Sequence, residues 1–376
     1  MGSTSPGITE VAAWSFVQSY QVSPEPDDSN AGQPEVSGVE KLTIFGPHSR
    51  EDDVTMHAKY ERESERIDRV VTVEGFRCRY QVSGTPSGRS PVFFLSGAFQ
   101  TMESWRKFVR HFETKTLVLV ADLPGMGGSD LLPRRYGLDY LAEAATRIMD
   151  AARMARAYVV SASYGSPIAY RLAQLHPERV TSMVLAGVMR EIPEHLRTRT
   201  ANTMATLADG RLADFAREIV DGLLCRDPEK PIEKRRLAER ILLAQLEKLP
   251  LGERERYIEN TARLLDHSPL DLSNPPSAPS LVFTGEHDVY THPGECRKVA
   301  AALPDALFTV IERADHLFHI ERFETTLALL DRFHDEGTGL ERVDDCAQME
   351  RFGPIGHPPS SRRPPRGEMH WRARAA

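Results

Sequence analysis

Cysteine is scarce: Cys78, Cys225, Cys296 and Cys346 are the four in a chain of 376 residues. Their wide separation matches neither a metal site nor a redox dithiol. They read as free thiols of a reducing cytoplasm, although position alone leaves a disulfide open. Long apolar runs are missing too, and nothing approaches the length of a membrane span. The N-terminus lacks the charged segment and continuous apolar stretch of a secretory leader. "MGSTSP" starts like a myristoylation site but puts Pro6 where Ser or Thr is required. Basic residues are not in excess, with 47 Lys and Arg against 54 Asp and Glu. A clustered nucleic-acid-binding face is therefore not expected. What remains is a globular composition, 40% hydrophobic, with length for one large domain or two ordinary ones.

Regular pattern is lacking at both ends. "SPEPDDSNAGQPE" cannot bury enough apolar area to offset its ordering entropy. Residues 1–65 are expected to form a flexible N-terminal arm, within which "VAAWSFVQSYQV" is apolar enough to dock on the body or on a partner. Residues 337–376, ending "GHPPSSRRPPRGEMHWRARAA", are expected to form a flexible Pro/Arg-rich tail.

Between the ends the pattern is rhythmic. "RVVTVEGFRCRYQVSG" alternates apolar and polar residues around Glu74-Gly75, the signal of a β-hairpin. "SPVFFLSG", "TLVLVADLPG", "AYVVSAS", "VTSMVLAG", "SLVFTGEHD" and "LFTVIE" read as strands. Helical spacing appears in "LDYLAEAATRIMDAARM", "GSPIAYRLAQLHP", "PGECRKVAAALP" and "RFETTLALLDRF". Such alternation implies a mostly parallel, doubly wound α/β sheet covered on both faces. The core is expected over 66–189 and 275–336. The rhythm breaks over 190–274, which is helical by pattern and lies before the strand ending in "GEHD". An insert there falls above the C-terminal sheet edge, where such sheets bind ligands, and reads as a cap.

The stretch "VVSASYGSP" sets Ser163 between small residues directly after a strand. A serine hydroxyl needs a base to take its proton, and the base needs a third group to hold it. Asp288 follows one later strand in "GEHDVYTHP", and His316 follows the next in "RADHLFHIE". Both can converge on a serine at the sheet edge. Rivals exist for each role. Ser161 is the first small residue of the turn, while the tip falls to Ser163. His319 and His287 compete with His316, the former reading as structural and the latter as pointing elsewhere. Asp315 adjoins His316 too closely in sequence to orient its ring, so Asp288 is the preferred acid. Trp105 reads as packing, and "GMGGS" lacks the Lys-Ser/Thr ending of a phosphate loop.

These strings, "FLSGAFQTMESW", "ADLPGMGGSD", "SASYG", "GEHD" and "ADH", occur in the order that resembles an α/β-hydrolase with a helical cap over residues 70 to 335. The resemblance implies Ser163, Asp288 and His316 as a catalytic triad with no metal or cofactor. It makes the backbone N–H of Tyr164 one oxyanion donor and that of Ala98, or else Phe99, the other. The loop in that family commonly starts His-Gly, whereas here it reads Ser96-Gly97, which puts its supporting hydrogen bonds in question. Aspartate-nucleophile members are disfavoured because the elbow carries no carboxylate. More narrowly, "SASYG" and "GEHDVYT" are similar to the 3-hydroxyacyl-carrier-protein acyltransferases of rhamnolipid and polyhydroxyalkanoate synthesis. The substrate implied is an acyl ester or thioester, including one on a carrier protein. Helical spacing offers Phe215, Ile219, Leu223, Leu242 and Leu246 as an acyl-binding wall favouring medium or long chains. The competing reading is a non-catalytic binding module on the same fold.

Overall fold

The computed structural model describes residues 67–353; the expected arm and the end of the expected tail lie outside the described residues. The strands in chain order are β1 (Arg69–Val73), β2 (Phe76–Ser83), β3 (Val92–Leu95), β4 (Val118–Asp122), β5 (Ala157–Ala162), β6 (Val180–Ala186), β7 (Ser280–Gly285), β8 (Ala306–Ile311) and β9 (Glu350–Phe352). The helices are α1 (Arg106–Phe112), α2 (Leu138–Ala151), α3 (Gly165–Leu175), α4 (Glu194–Ala208), α5 (Leu212–Leu223), α6 (Arg235–Leu246), α7 (Leu251–Asp266), α8 (Pro293–Ala302), α9 (Phe318–Glu321) and α10 (Phe323–Glu336).

Among the described residues the strands form one sheet in the order β1-β2-β4-β3-β5-β6-β7-β8-β9. The run from β4 to β8 is parallel, β2 joins it antiparallel, and β9 closes the far edge antiparallel to β8. The first hairpin turns on Glu74 and Gly75, at φ 47° and 92°. Paired positive φ values match the twist of the strands they join.

The central strands read as unbroken apolar runs because both faces are covered. In β3, Phe93 and Leu95 join the core beneath α2, α3 and α8, with Leu141, Ile168 and Val299. Val92 and Phe94 point the other way, to Phe108, Phe112, Leu329 and Phe333 of α1 and α10. This period of two is the strand geometry itself. Helices α4 to α7 occupy the interval between β6 and β7, as the break in rhythm predicts, and have an apolar core of their own.

The expectation of a flexible tail from 337 is corrected for its first part. Residues 337–353 pack on the sheet: Leu340 and Val343 are buried, and β9 pairs with β8 in the register Ala306↔Phe352. The Arg351 guanidinium bridges back to the carbonyls of Gly339 and Leu340 at 3.2 and 3.1 Å. Widely spaced apolar residues among charges hide this element from a pattern search.

Candidate active site

Strand β5 is buried throughout and ends in a sharp turn into α3. Ser163, at its tip, has φ 47°, a left-handed conformation that side chains seldom adopt. The turn is tight because the chain passes close to β3. A Cβ added at Gly165 would lie 2.6 Å from the Leu95 carbonyl oxygen, so glycine is required there. Ser161 points into the sheet, where its Oγ donates to the Val184 carbonyl at 2.5 Å. That commits its proton. Ser163 remains half-exposed.

Asp288 follows β7, and its carboxylate is saturated with donors. Oδ1 accepts the N–H groups of Tyr290 and Thr291, both at 2.8 Å. Oδ2 accepts the hydroxyls of Thr284 and Thr291, both at 2.6 Å, and Nδ1 of His316 at 2.8 Å. Burial alone would push the Asp288 carboxyl up. The positive charge and hydrogen bond of His316 outweigh it, helped by the threonine hydroxyls, and hold it below its ordinary value. His316 shows the mirror image. Burial pulls it down, but the Asp288 charge and hydrogen bond, with the charges of Asp315 and Glu321, leave it raised. With Nδ1 donating to Asp288, Nε2 is free to act as a base. Among the described residues Ser163 makes no hydrogen bond to His316; such contacts commonly tighten only with substrate bound.

The rivals resolve by geometry. Asp315 accepts the backbone N–H of His316 at 2.7 Å and the N–H of Cys225, so it does not touch the imidazole. His287 lies beside Glu286 at 3.6 Å. His319 is half-buried in α9, with its Nε2 3.3 Å from the side-chain nitrogen of Gln100. Trp105 stacks on Phe94 and donates to Ser96 Oγ at 3.1 Å. Cys78, Cys225, Cys296 and Cys346 are free.

The loop after β3 faces the elbow. Phe99 has φ 60°, and Gly97 N–H donates to Gln100 Oε1 at 2.8 Å. The N–H groups of Ala98, Phe99 and Tyr164 have no partner among the described residues. These are the donors expected for an oxyanion. Two of the loop's supports, Gln100 and Ser96–Trp105, are side chains whose roles the sequence pattern does not expose. The same holds for Thr284 and Thr291, which are legible only as letters of the strings around "GEHD".

The expected acyl wall is placed differently. Phe215, Ile219, Leu242 and Leu246 are buried with Met204, Leu207, Val220 and Tyr257, and Leu223 packs against the same cluster. They form the insert's own core rather than the wall of an open cavity, because the apolar faces of α5 and α6 meet each other. The insert meets the site through Phe99, whose ring sits edge-on to Tyr257 at 4.7 Å and to Phe215 at 6.2 Å. Gln245 of α6 donates to the Phe99 carbonyl, and Leu317, beside His316, packs on the same cluster.

A family model for the alpha/beta hydrolase fold matches residues 90–323. The chain belongs to the α/β-hydrolase family. A poly(3-hydroxyalkanoate) depolymerase of Ectopseudomonas oleovorans is 23% identical over 272 residues, 71% of this chain and 92% of that protein. A pimeloyl-[acyl-carrier protein] methyl ester esterase of Chromobacterium violaceum is 27% identical over 229 residues, 57% of this chain and 84% of its own. Among solved structures, an α/β hydrolase enzyme from a Medee basin deep-sea metagenome library superposes with TM-score 0.64 at 21% identity, covering 73% of this chain and 99% of that one. The enol-lactonase from Burkholderia xenovorans follows with TM-score 0.62 at 20% identity, covering 71% and 100%. At such identity the structures speak for the fold. The curated relatives include hydrolases and esterases, and also an acetyltransferase component of an acetoin cleaving system from Cupriavidus necator, matched over 30% of its length. Among its described residues no helix is long and apolar enough to cross a membrane, and no group of His, Cys, Asp or Glu is arranged to hold a metal ion.

Proposed function

We propose that this α/β-hydrolase cleaves a carboxylic ester or thioester through an acyl-Ser163 intermediate. The observation that carries the reading is the Asp288–His316 hydrogen bond at 2.8 Å, at the ends of neighbouring strands, beside an elbow that presents Ser163 at positive φ. His316 Nε2 takes the Ser163 proton as Oγ attacks the acyl carbon. Asp288, buried and already ionised, stabilises the imidazolium that forms. The N–H of Tyr164, with that of Ala98 or Phe99, receives the negative oxygen; each such donor contributes about 3 kcal/mol in enzymes where one has been removed. The imidazolium then returns its proton to the leaving alcohol or thiol. Water, activated by the same histidine, releases the acid.

The acyl class we assign is a 3-hydroxyacyl group. Two features support it: the "SASYG" and "GEHDVYT" strings, and the similarity to a poly(3-hydroxyalkanoate) depolymerase over most of both chains. Hydrolysis is preferred to acyl transfer because the curated relatives include a depolymerase and an esterase. The test uses the full chain on 3-hydroxyacyl esters and thioesters, carrier-protein thioesters included, beside their unsubstituted counterparts. Products are identified by mass spectrometry, with and without a second 3-hydroxyacyl acceptor. Free acid, formed faster from the hydroxylated series, is the expected result. Condensed product would turn the reading to transfer. No turnover and no labelling of Ser163 by a fluorophosphonate would leave a binding module.

A further inference from the structure

The loop from Ser96 to Gln100 carries an unusual backbone, held at Ser96 by Trp105 and at the Phe99 carbonyl by Gln245, with Gly97 held by Gln100 between them. Phe99 stands at φ 60°, which a bulky side chain holds only when its surroundings impose it. The histidine that commonly opens this loop is absent, and Ser96 stands in its place. Resting on the reading of Ala98, Phe99 and Tyr164 as oxyanion donors, we propose that Gln100 and His319 are positioning residues that jointly hold the 97–99 backbone in its donor geometry.

The hydrogen bonds fix the direction of each group. Gly97 N–H donates to Gln100 Oε1 at 2.8 Å, and Gln100 N–H returns to the Gly97 carbonyl at 3.4 Å. The side-chain amide thus closes the loop on itself. Since its oxygen is used by Gly97, its nitrogen is the end that faces His319, 3.3 Å away. An amide nitrogen only donates, so Nε2 of His319 must accept and the ring proton must sit on Nδ1. That arrangement requires a neutral imidazole. Burial, and then the charge of His316, push His319 down to about 4, so the ring stays neutral across the physiological range.

The placement has a chemical consequence. His316 and His319 lie within one short segment entering α9, so one turn of chain bears both the proposed base and the prop of the proposed oxyanion loop. A shift of that turn would move both catalytic components together. The competing account makes His319 a space-filling ring beside Phe318, from which its centroid is 5.8 Å.

The test uses the full chain with p-nitrophenyl butyrate. Gln100→Ala and His319→Leu should each lower kcat roughly 10- to 100-fold, the scale of a small misplacement of catalytic groups, with KM changed by less than about twofold. The double variant should lose no more than the worse single, because both act through one contact. His319→Gln, whose amide oxygen can accept from Gln100, should recover most of the loss. Amide exchange over residues 97–100 should rise in both single variants and return in His319→Gln. Exchange needs no turnover, so it reports on the prop even if Ser163 proves not to cleave esters; inactivity of the parent enzyme would strike the functional reading alone. Unchanged exchange in Gln100→Ala, losses that multiply in the double variant, or no recovery in His319→Gln would overturn the proposal.

Discussion

Nδ1 of His316 lies 2.8 Å from Oδ2 of Asp288, joining the loops that leave β8 and β7. Each group shifts the other toward its charged form, which favours the imidazolium once His316 takes up a proton. A base must be neutral to accept the Ser163 proton. Activity should therefore climb with pH, through a midpoint above the ordinary histidine value of about 6.5. Asp288→Asn removes the largest raising influence and leaves burial, which lowers. Its ascending limb should move to lower pH while kcat falls on the order of 10³- to 10⁴-fold. A limb that stays in place, measured on kcat/KM, would uncouple Asp288 from the titrating group.

Ser163→Ala should abolish ester turnover and leave the fold intact, since a single hydroxyl at a turn is removed. Ser163→Gly should be equally inactive but more stable than Ser163→Ala by about 1 kcal/mol, because φ 47° costs an L-residue what glycine does not lose. Urea unfolding of the two variants makes the comparison. Equal stability would mean that the elbow holds no strain.

Ser163, Asp288 and His316 stand out in the sequence as candidates because each lies within a few residues of the end of a short apolar run. Strand ends are the one place where a local pattern also fixes a location in the fold. Gln100, Thr284, Thr291 and His319 offer no such handle, since their meaning depends on a partner elsewhere in the chain. Phe215 and Leu242 show a different limit. Helical periodicity says that they face something apolar, but it cannot say whether that is a ligand, the sheet or each other. The hairpin at Glu74-Gly75 and the break in rhythm before β7 are local enough to be read directly.

Arg263 of α7 is almost completely buried, and among the described residues no carboxylate pairs with it. Its guanidinium is satisfied by neutral acceptors: the carbonyls of Tyr136, Leu132 and Pro133 at 2.5, 2.6 and 3.1 Å, Asn260 Oδ1 at 2.5 Å, and the Tyr164 hydroxyl at 3.1 Å. It ties the insert to the residue after the elbow. Arg263→Leu strands several buried acceptors and should cost about 3 kcal/mol or more. Tyr164→Phe leaves one N–H unpaired and should cost nearer 1 kcal/mol. Chemical denaturation orders the two; the reverse order would mean that the guanidinium is not what secures this corner.

Glu321 is buried behind His316 and accepts the Asp315 N–H at 2.7 Å. Burial above all, then the negative charge of Asp315, pushes its carboxyl up to about 8. A carboxyl raised in the folded state stabilises that state below the unfolded value, and the contribution is lost as pH rises through the folded one. The enzyme should therefore lose stability between about pH 5 and pH 9 relative to Glu321→Gln, which keeps an acceptor and cannot ionise. Parallel thermal unfolding curves at both pH values would remove Glu321 from the account.

The end of the described chain decides how far the catalytic segment depends on remote packing. Between 337 and 353, Leu340, Val343 and Met349 are buried against the sheet, and β9 covers the edge of β8. Asp345 pairs with Arg322 at 2.5 Å, and Arg322 pairs also with Glu233 of the insert. Arg322 directly follows α9, the short helix that carries His319, so removing Asp345 takes a partner from a buried guanidinium close to the proposed site. Each apolar side chain lost from burial costs about 1.5–3 kcal/mol, and an uncovered β8 edge offers unpaired backbone to other chains. A chain ended after residue 336 should therefore aggregate, or unfold at a clearly lower temperature with little activity. One ended after residue 353 should keep this packing and match the full chain in kcat. The pair is compared by thermal unfolding, size-exclusion chromatography and ester turnover. Equal behaviour of both truncated chains would restore the reading of residues 337–353 as an unattached tail.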